Sequence, residues 1–204
     1  MYIKISDQGI KYNDSNHYSN CGATILSDTW LLTAAHCLSD RKNPKLFLLN
    51  DQNIARDTNF KEIKYELIVI HPNYSEYLIN DDLLTLTDIS LIKLRNRFRL
   101  IGIMPICLPQ QNSDLSTGSI CYIKGYPPIE SDKARLDKAR EGRIIIRHGS
   151  SCVNNLQLDY GSYDERTMLC GEKYNTGSSL FDHSPCQGDS GGEFMIKKLR
   201  KYFH

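Results

Sequence analysis

The chain has 204 residues, 40% of them hydrophobic and 24% charged. That balance excludes a disordered chain and suits one ordinary domain or two small ones. Lys and Arg total 25 against 24 Asp and Glu, a net charge of +1, so no strong field exists to gather nucleic acid or an acidic membrane surface.

The first eight residues lack the apolar core of a secretory signal. No stretch approaches the roughly 20 apolar residues that span a bilayer. On this ground the chain either stays inside the cell or is part of a longer precursor. Short apolar runs then follow at 23–26, 31–35, 46–49, 67–70, 89–94, 120–123 and 144–146. Turn formers separate them, among them Asn43-Pro44, His71-Pro72-Asn73, Pro127-Pro128 and His148-Gly149-Ser150. Short strands with such punctuation predict an all-β sandwich or barrel. Residues 108–113 are the best candidate for a crossing between two halves. The charged segment 132–141 reads as a helical turn or, equally, a solvated loop, and 154–166 has room for one short helix. The basic run Lys197-Lys198-Leu199-Arg200-Lys201 reads as a solvated tail.

Seven cysteines are spread along the chain: Cys21, Cys37, Cys107, Cys121, Cys152, Cys170 and Cys186. None forms a Cys-x-x-C pair, which argues against a zinc ribbon or a thioredoxin-type motif and leaves no metal site to predict. Spread cysteines fit disulfides, which persist in oxidising compartments, so they point to a secreted, extracellular protein. The odd count leaves at least one thiol without an intrachain partner. Two Asn-x-Ser sequons, at Asn13 and Asn73, agree with export.

Three segments carry chemistry. The sequence around Ser190 is Cys186-Gln187-Gly188-Asp189-Ser190-Gly191-Gly192. A serine hydroxyl is a poor nucleophile unless a base takes its proton during attack. Flanking glycines let the chain turn tightly and aim backbone N–H groups into one space, as an oxyanion hole requires; Gly188 and Ser190 would supply them. Taken alone, the segment reads equally well as a Gly/Ser turn. A base near neutral pH should be histidine. Of His17, His36, His71, His148, His183 and His204, only His36 ends an apolar run and precedes a cysteine. Alone, it would more often be structural. The histidine needs a carboxylate to hold its tautomer. Asp88 directly precedes the apolar run 89–94; alone, it would usually be a turn residue, and Asp81 and Asp82 are rivals in spacing.

Together the segments change the reading. Thr33-Ala34-Ala35-His36-Cys37, Asp88-Ile89-Ser90-Leu91 and Gly188-Asp189-Ser190-Gly191-Gly192 occur in this order, with His36, Asp88 and Ser190 separated by 52 and 102 residues. In this the chain resembles the trypsin/chymotrypsin family of serine endopeptidases. Cys21-Gly22-Ala23-Thr24-Ile25-Leu26, Trp30, His71-Pro72-Asn73-Tyr74, Pro105-Ile106-Cys107-Leu108-Pro109 and Cys121-Tyr122-Ile123-Lys124-Gly125-Tyr126 are similar to further family segments. The likeness runs from about Tyr18 to Met195.

The resemblance implies two antiparallel β-barrels of chymotrypsin type, the first over 1–108 and an incomplete second over 109–204, with the triad at their junction. It implies catalysis by His36, Asp88 and Ser190, disulfides Cys21–Cys37 and Cys152–Cys170, and no metal or organic cofactor. Expected partners are protein or peptide substrates and protein protease inhibitors, with neither nucleic acid nor a membrane. It also places the floor of the specificity pocket at Ser184, where serine favours apolar or aromatic substrate side chains over Lys or Arg.

Several features depart from the family pattern. No Ile-Val-Gly-Gly start precedes Cys21, so the ammonium that would pair with Asp189 is missing, and a buried Asp189 without a cation would disturb the oxyanion hole. The chain ends 14 residues after Ser190, before the strands that carry the expected partners of Cys121 and Cys186; the Cys107 partner usually lies in a pro-segment. Pro127 and Glu193 replace a common glycine and a common proline. The sequence therefore reads as part of a longer precursor or a truncated gene. A non-catalytic protease homologue, acting as a binding or regulatory module, is the alternative. An α/β-hydrolase esterase fails on motif order and on the missing strand–turn–helix around the serine.

Overall fold

The computed structural model describes residues 2–6, 18–41, 43–49, 60–79, 82–97, 105–110, 115–125, 140–155, 163–174 and 189–196. In chain order the strands are β1 (Tyr2–Ser6), β2 (Tyr18–Gly22), β3 (Thr24–Ile25), β4 (Trp30–Thr33), β5 (Lys45–Leu49), β6 (Phe60–Ile63) and β7 (Tyr65–Ile70). They continue with β8 (Ser75–Ile79), β9 (Asp82–Leu86), β10 (Ser90–Leu94), β11 (Ile120–Gly125), β12 (Arg140–Ile146), β13 (Gly171–Lys173) and β14 (Phe194–Met195). Between β4 and β5 lies a single 3-10 turn, Ala35–Cys37, and between β12 and β13 a two-turn helix, α1 (Gly149–Asn155).

Among the described residues four antiparallel sheets form, in the strand orders β2-β1-β5-β6, β3-β4-β10-β7, β8-β9 and β13-β12-β11-β14. Each of the seven predicted apolar runs contributes to a strand of these sheets. In β10 the burial alternates strictly: Ser90, Ile92 and Leu94 are buried, while Leu91 and Lys93 are half-buried. This is the two-residue period of a strand with one face on a core. Its partner β4 matches the phase, since the register sets Ile92 opposite Leu31 and Ser90 opposite Thr33, and all four are buried. Around them Ile5, Cys21, Ala23, Ile25, Leu38, Leu46 and Leu94 complete one apolar core. In the last sheet Cys121, Ile144 and Ile146 are buried, as is Cys170 just before β13.

Of the segment 154–166, predicted to hold one short helix, residues 154–155 end α1 and 156–162 lie outside the described residues. At the start of α1 the His148 ring Nδ1 accepts from the Ser150 N–H at 3.3 Å, satisfying an otherwise orphaned first-turn donor. Of the segment 132–141, only Arg140 and Glu141 are described, and both belong to β12, opposite Gly125 and Lys124. Residues 105–110 carry no regular structure; of the candidate crossing 108–113, residues 111–113 lie outside the described residues. The basic run 197–201 lies outside the described residues. Among the described residues no helix is long and apolar enough to cross a membrane.

Burial of Ile92 at the centre of the β4–β10 pairing predicts a clear contrast in stability. Ile92→Ala is expected to cost about 2–5 kcal/mol, whereas Leu67→Ala, at a half-exposed position on β7, costs within about 0.5 kcal/mol. Urea midpoints of the two variants measure the difference.

Candidate active site

His36 sits in the 3-10 turn that follows β4, between the buried Ala35 and Cys37. Cys37 is bonded to Cys21 at the end of β2, so the turn is tied covalently to a neighbouring strand. Its position relative to Asp88 is set by two contacts to one carboxylate. The His36 backbone N–H donates to Asp88 Oδ1 at 2.9 Å, and His36 Nδ1 lies 2.6 Å from Asp88 Oδ2. A protonated Nδ1 donates in this pair, which leaves Nε2 as the nitrogen able to exchange a proton with a partner. Of the rivals in spacing, Asp82 opens β9 and Asp81 lies outside the described residues.

The backbone presents Asp88 on a tight bend. Ile89 N–H donates to Thr87 O at 2.8 Å, and Thr87 holds φ +53°, a conformation costly for a β-branched residue. Such strain persists only where surrounding contacts over-determine it. Here those contacts are visible. Ser90 Oγ, buried, donates to Ala34 O at 3.1 Å, joining the strand after Asp88 to the residue two before His36. On the other side His71 N–H donates to Ile89 O at 3.1 Å.

Burial and charge then shape both ionisations. The Asp88 hydrogen bond raises the His36 pKa above 6.5; burial opposes this, and the charges of Asp88 and Glu76 add to the rise. For Asp88, burial pushes the carboxyl up, but the His36 ring and the N–H groups of His36 and Ala35 outweigh it, leaving the pKa below the usual 3.8.

Ser190 stands in a turn closed by Gly192 N–H donating to Asp189 O at 2.9 Å. Gly191 takes φ +78°, and a Cβ there would overlap Thr33 Oγ1, so no other residue fits without displacement. This turn docks on the end of β2: Gly22 N–H donates to Ser190 O at 2.6 Å. A Cβ on Gly22 would come within 2.5 Å of Gly192 Cα. Gly22 O in turn accepts from Thr33 Oγ1 at 2.8 Å. Thr33 is three residues before His36, so a two-bond relay through Gly22 connects the serine turn to the histidine turn. His36, Asp88 and Ser190 all line one cleft of about 760 Å³, together with Ile106 and Cys107, within the size range of small-ligand and peptide sites.

A model of the trypsin family matches residues 7–199. The chain belongs to the trypsin family. Ovochymase of Halocynthia roretzi is 31% identical to it over 189 residues, 91% of this chain and 11% of the relative. Chymotrypsin-like elastase family member 1 of Macaca fascicularis is 28% identical over 189 residues, 91% of this chain and 65% of the relative. The chain therefore spans less than two thirds of the length of either curated relative. The solved structure of GrC aligns with a TM-score of 0.68 at 24% identity, covering 96% of this chain and 78% of that one. Neuropsin, a serine protease expressed in the limbic system of mouse brain, aligns at 0.67 and 23%, covering 95% and 75%. The fold is the all-β chymotrypsin type, its described strands arranged in the open sheets given above.

In this trypsin-family chain both disulfides implied by the resemblance are formed, Cys21–Cys37 and Cys152–Cys170. Cys107 is an exposed thiol and Cys121 a buried one, whose pKa burial raises. Asp189 is half-buried rather than buried, with its carboxylate against Gly125 and engaged in interactions of its own. The charge is thus not sealed in the interior. Gly188, Ser184 and Cys186 lie outside the described residues. Sequence reasoning did not single out Ser90, Thr33 or Gly22 as positioning residues. Only Ser90 left a signal, a polar residue on the inward phase of an otherwise apolar strand.

The His36–Asp88 pair predicts a specific titration. By NMR the wild-type His36 ring titrates above 6.5, and Asp88→Asn moves the midpoint down, because the largest upward influence is lost while burial still lowers it. A raised folded pKa adds stability that is full below the unfolded value and lost as pH rises through the folded one. The depressed Asp88 adds stability present above 3.8 and lost as pH falls through its folded value. The pair is therefore most stabilising between these two transitions, and a pH series of urea unfolding checks it.

Proposed function

We propose that the chain is a serine endopeptidase working through an acyl-enzyme. Ser190 Oγ attacks the scissile carbonyl while His36 Nε2 takes its proton. The resulting imidazolium is stabilised by the Asp88 carboxylate and returns the proton to the leaving amine. Water then repeats the sequence, with His36 again as base and then acid, and frees Ser190. The N–H groups of Gly188 and Ser190 hold the oxyanion, a contribution whose loss typically costs about 10²–10³ in rate. Ser184 forms the pocket floor and favours apolar or aromatic side chains. Within this reading the first barrel spans 1–108 and supplies His36 and Asp88; the second spans 109–204 and supplies Ser190.

The observation that carries the reading is the 2.6 Å contact of His36 Nδ1 with Asp88 Oδ2 beside a cleft that Ser190 also lines. Family membership supports it. Every proton and electron pair in the scheme moves between side chains, substrate and water, so the scheme uses no metal or organic cofactor. Substrates are proteins or peptides, protein protease inhibitors are expected to compete for the cleft, and nucleic acid and membranes have no part. The two disulfides support an extracellular location.

A fluorophosphonate probe that reacts with activated serines tests this. Labelling is expected on Ser190, absent in Ser190→Ala and slowed about 10⁴-fold in Asp88→Asn. Its rate should rise with pH through a midpoint above 6.5, as His36 loses its proton. No labelling of the wild-type chain would favour the non-catalytic homologue instead.

A further inference from the structure

We propose that Asn73 is an N-glycosylation site whose carbohydrate stands at the edge of the cleft beside Asp88. Asn73-Tyr74-Ser75 is a sequon with no proline at its centre. It occupies an exposed turn rather than the core. Tyr74 N–H donates to His71 O at 2.9 Å, closing the turn. Asn73 N–H donates to His71 Nδ1 at 3.1 Å. The backbone is thereby satisfied, while Pro72 and Asn73 are exposed. A bulky, hydrophilic group attached to the Asn73 carboxamide can extend into water with no displacement of packed side chains.

The surroundings favour attachment here. Asn73 lies just before the β8–β9 hairpin, whose two strands pair, among the described residues, only with each other. Both disulfides require an oxidising compartment, and in eukaryotic cells sequons are modified in that same compartment. The other sequon, Asn13-Asp14-Ser15, lies outside the described residues.

The turn is also anchored to the active-site rim. His71 N–H donates to Ile89 O, and Thr87, Asp88 and Ile89 line the cleft. Two residues of turn therefore separate the attachment point from the strand junction that presents Asp88. In the modification, Asn73 Nδ2 attacks the anomeric carbon of an N-acetylglucosamine carried on a polyprenyl diphosphate. A C–N bond forms, the anomeric C–O bond to the diphosphate breaks, the polyprenyl diphosphate leaves, and one amide proton is released to solvent.

The proposal is independent of catalysis, so its test reads mass. The full chain is secreted from a eukaryotic cell line, digested, and peptide-mapped with and without a peptide-N-glycosidase, which converts a glycosylated asparagine to aspartate. Expected is an oligosaccharide on the Asn73 peptide and, after the glycosidase, the mass of an aspartate at that position. Asn73→Gln and Ser75→Ala should each lose the oligosaccharide, while Ser75→Thr retains it. The wild-type map decides the matter even where a variant fails to fold. An unmodified Asn73 in secreted wild-type chain, or carbohydrate at Asn13 alone, would overturn the proposal.

Discussion

One carboxylate organises the cleft. Asp88 spends one oxygen on the backbone N–H of His36 and the other on its ring nitrogen. The two bonds do different things. The first fixes where the turn sits; the second fixes how the imidazole is rotated and which nitrogen holds its proton. A carboxylate held by the backbone of the residue it orients cannot drift without taking that residue along. The same pairing moves both pKa values in the direction that keeps a charge-assisted bond intact.

Around this contact the fold works as a set of short ties between distant segments. Ser90 ties β10 to Ala34. The Cys21–Cys37 bridge ties the histidine turn to β2. Gly22, at the end of that strand, binds the serine turn with its N–H and Thr33 with its carbonyl. All of these meet within a few residues of one another at the ends of β2 and β4. The absence of a Cβ at Gly22 and Gly191 is what lets the two backbones approach so closely. The strained Thr87 conformation lies in the same region, where the ties hold it.

Much of this was legible in the chain. Runs with several consecutive apolar residues, such as 31–35 and 89–94, became β4 with its following turn and β10. Their alternation fits a buried face whatever the tertiary context. Among the strands that sequence did not announce, some have mixed or charged composition. β6 reads Phe-Lys-Glu-Ile, and β13 is a fully exposed Gly-Glu-Lys. Such segments become strands because a neighbour offers hydrogen bonds, as β12 does for β13, and not because of their own residues. In the site, His36 and Asp88 were readable because each sits beside a strong apolar run. Thr33 and Gly22 act through backbone atoms and close approach, which leave little mark on residue type.

The central proposal is that Ser190 becomes the acyl carrier, with His36, held by Asp88, as its base in the cleft that all three line. The most direct measurement is rapid acid quenching of the chain reacting with an activated peptide ester, followed by mass analysis of its fragments. The account predicts an acyl group on the fragment containing Ser190, with its formation slowed when Asp88 is replaced by asparagine. An acyl group on any other residue, or ester hydrolysis at an undiminished rate in Ser190→Ala, would contradict it.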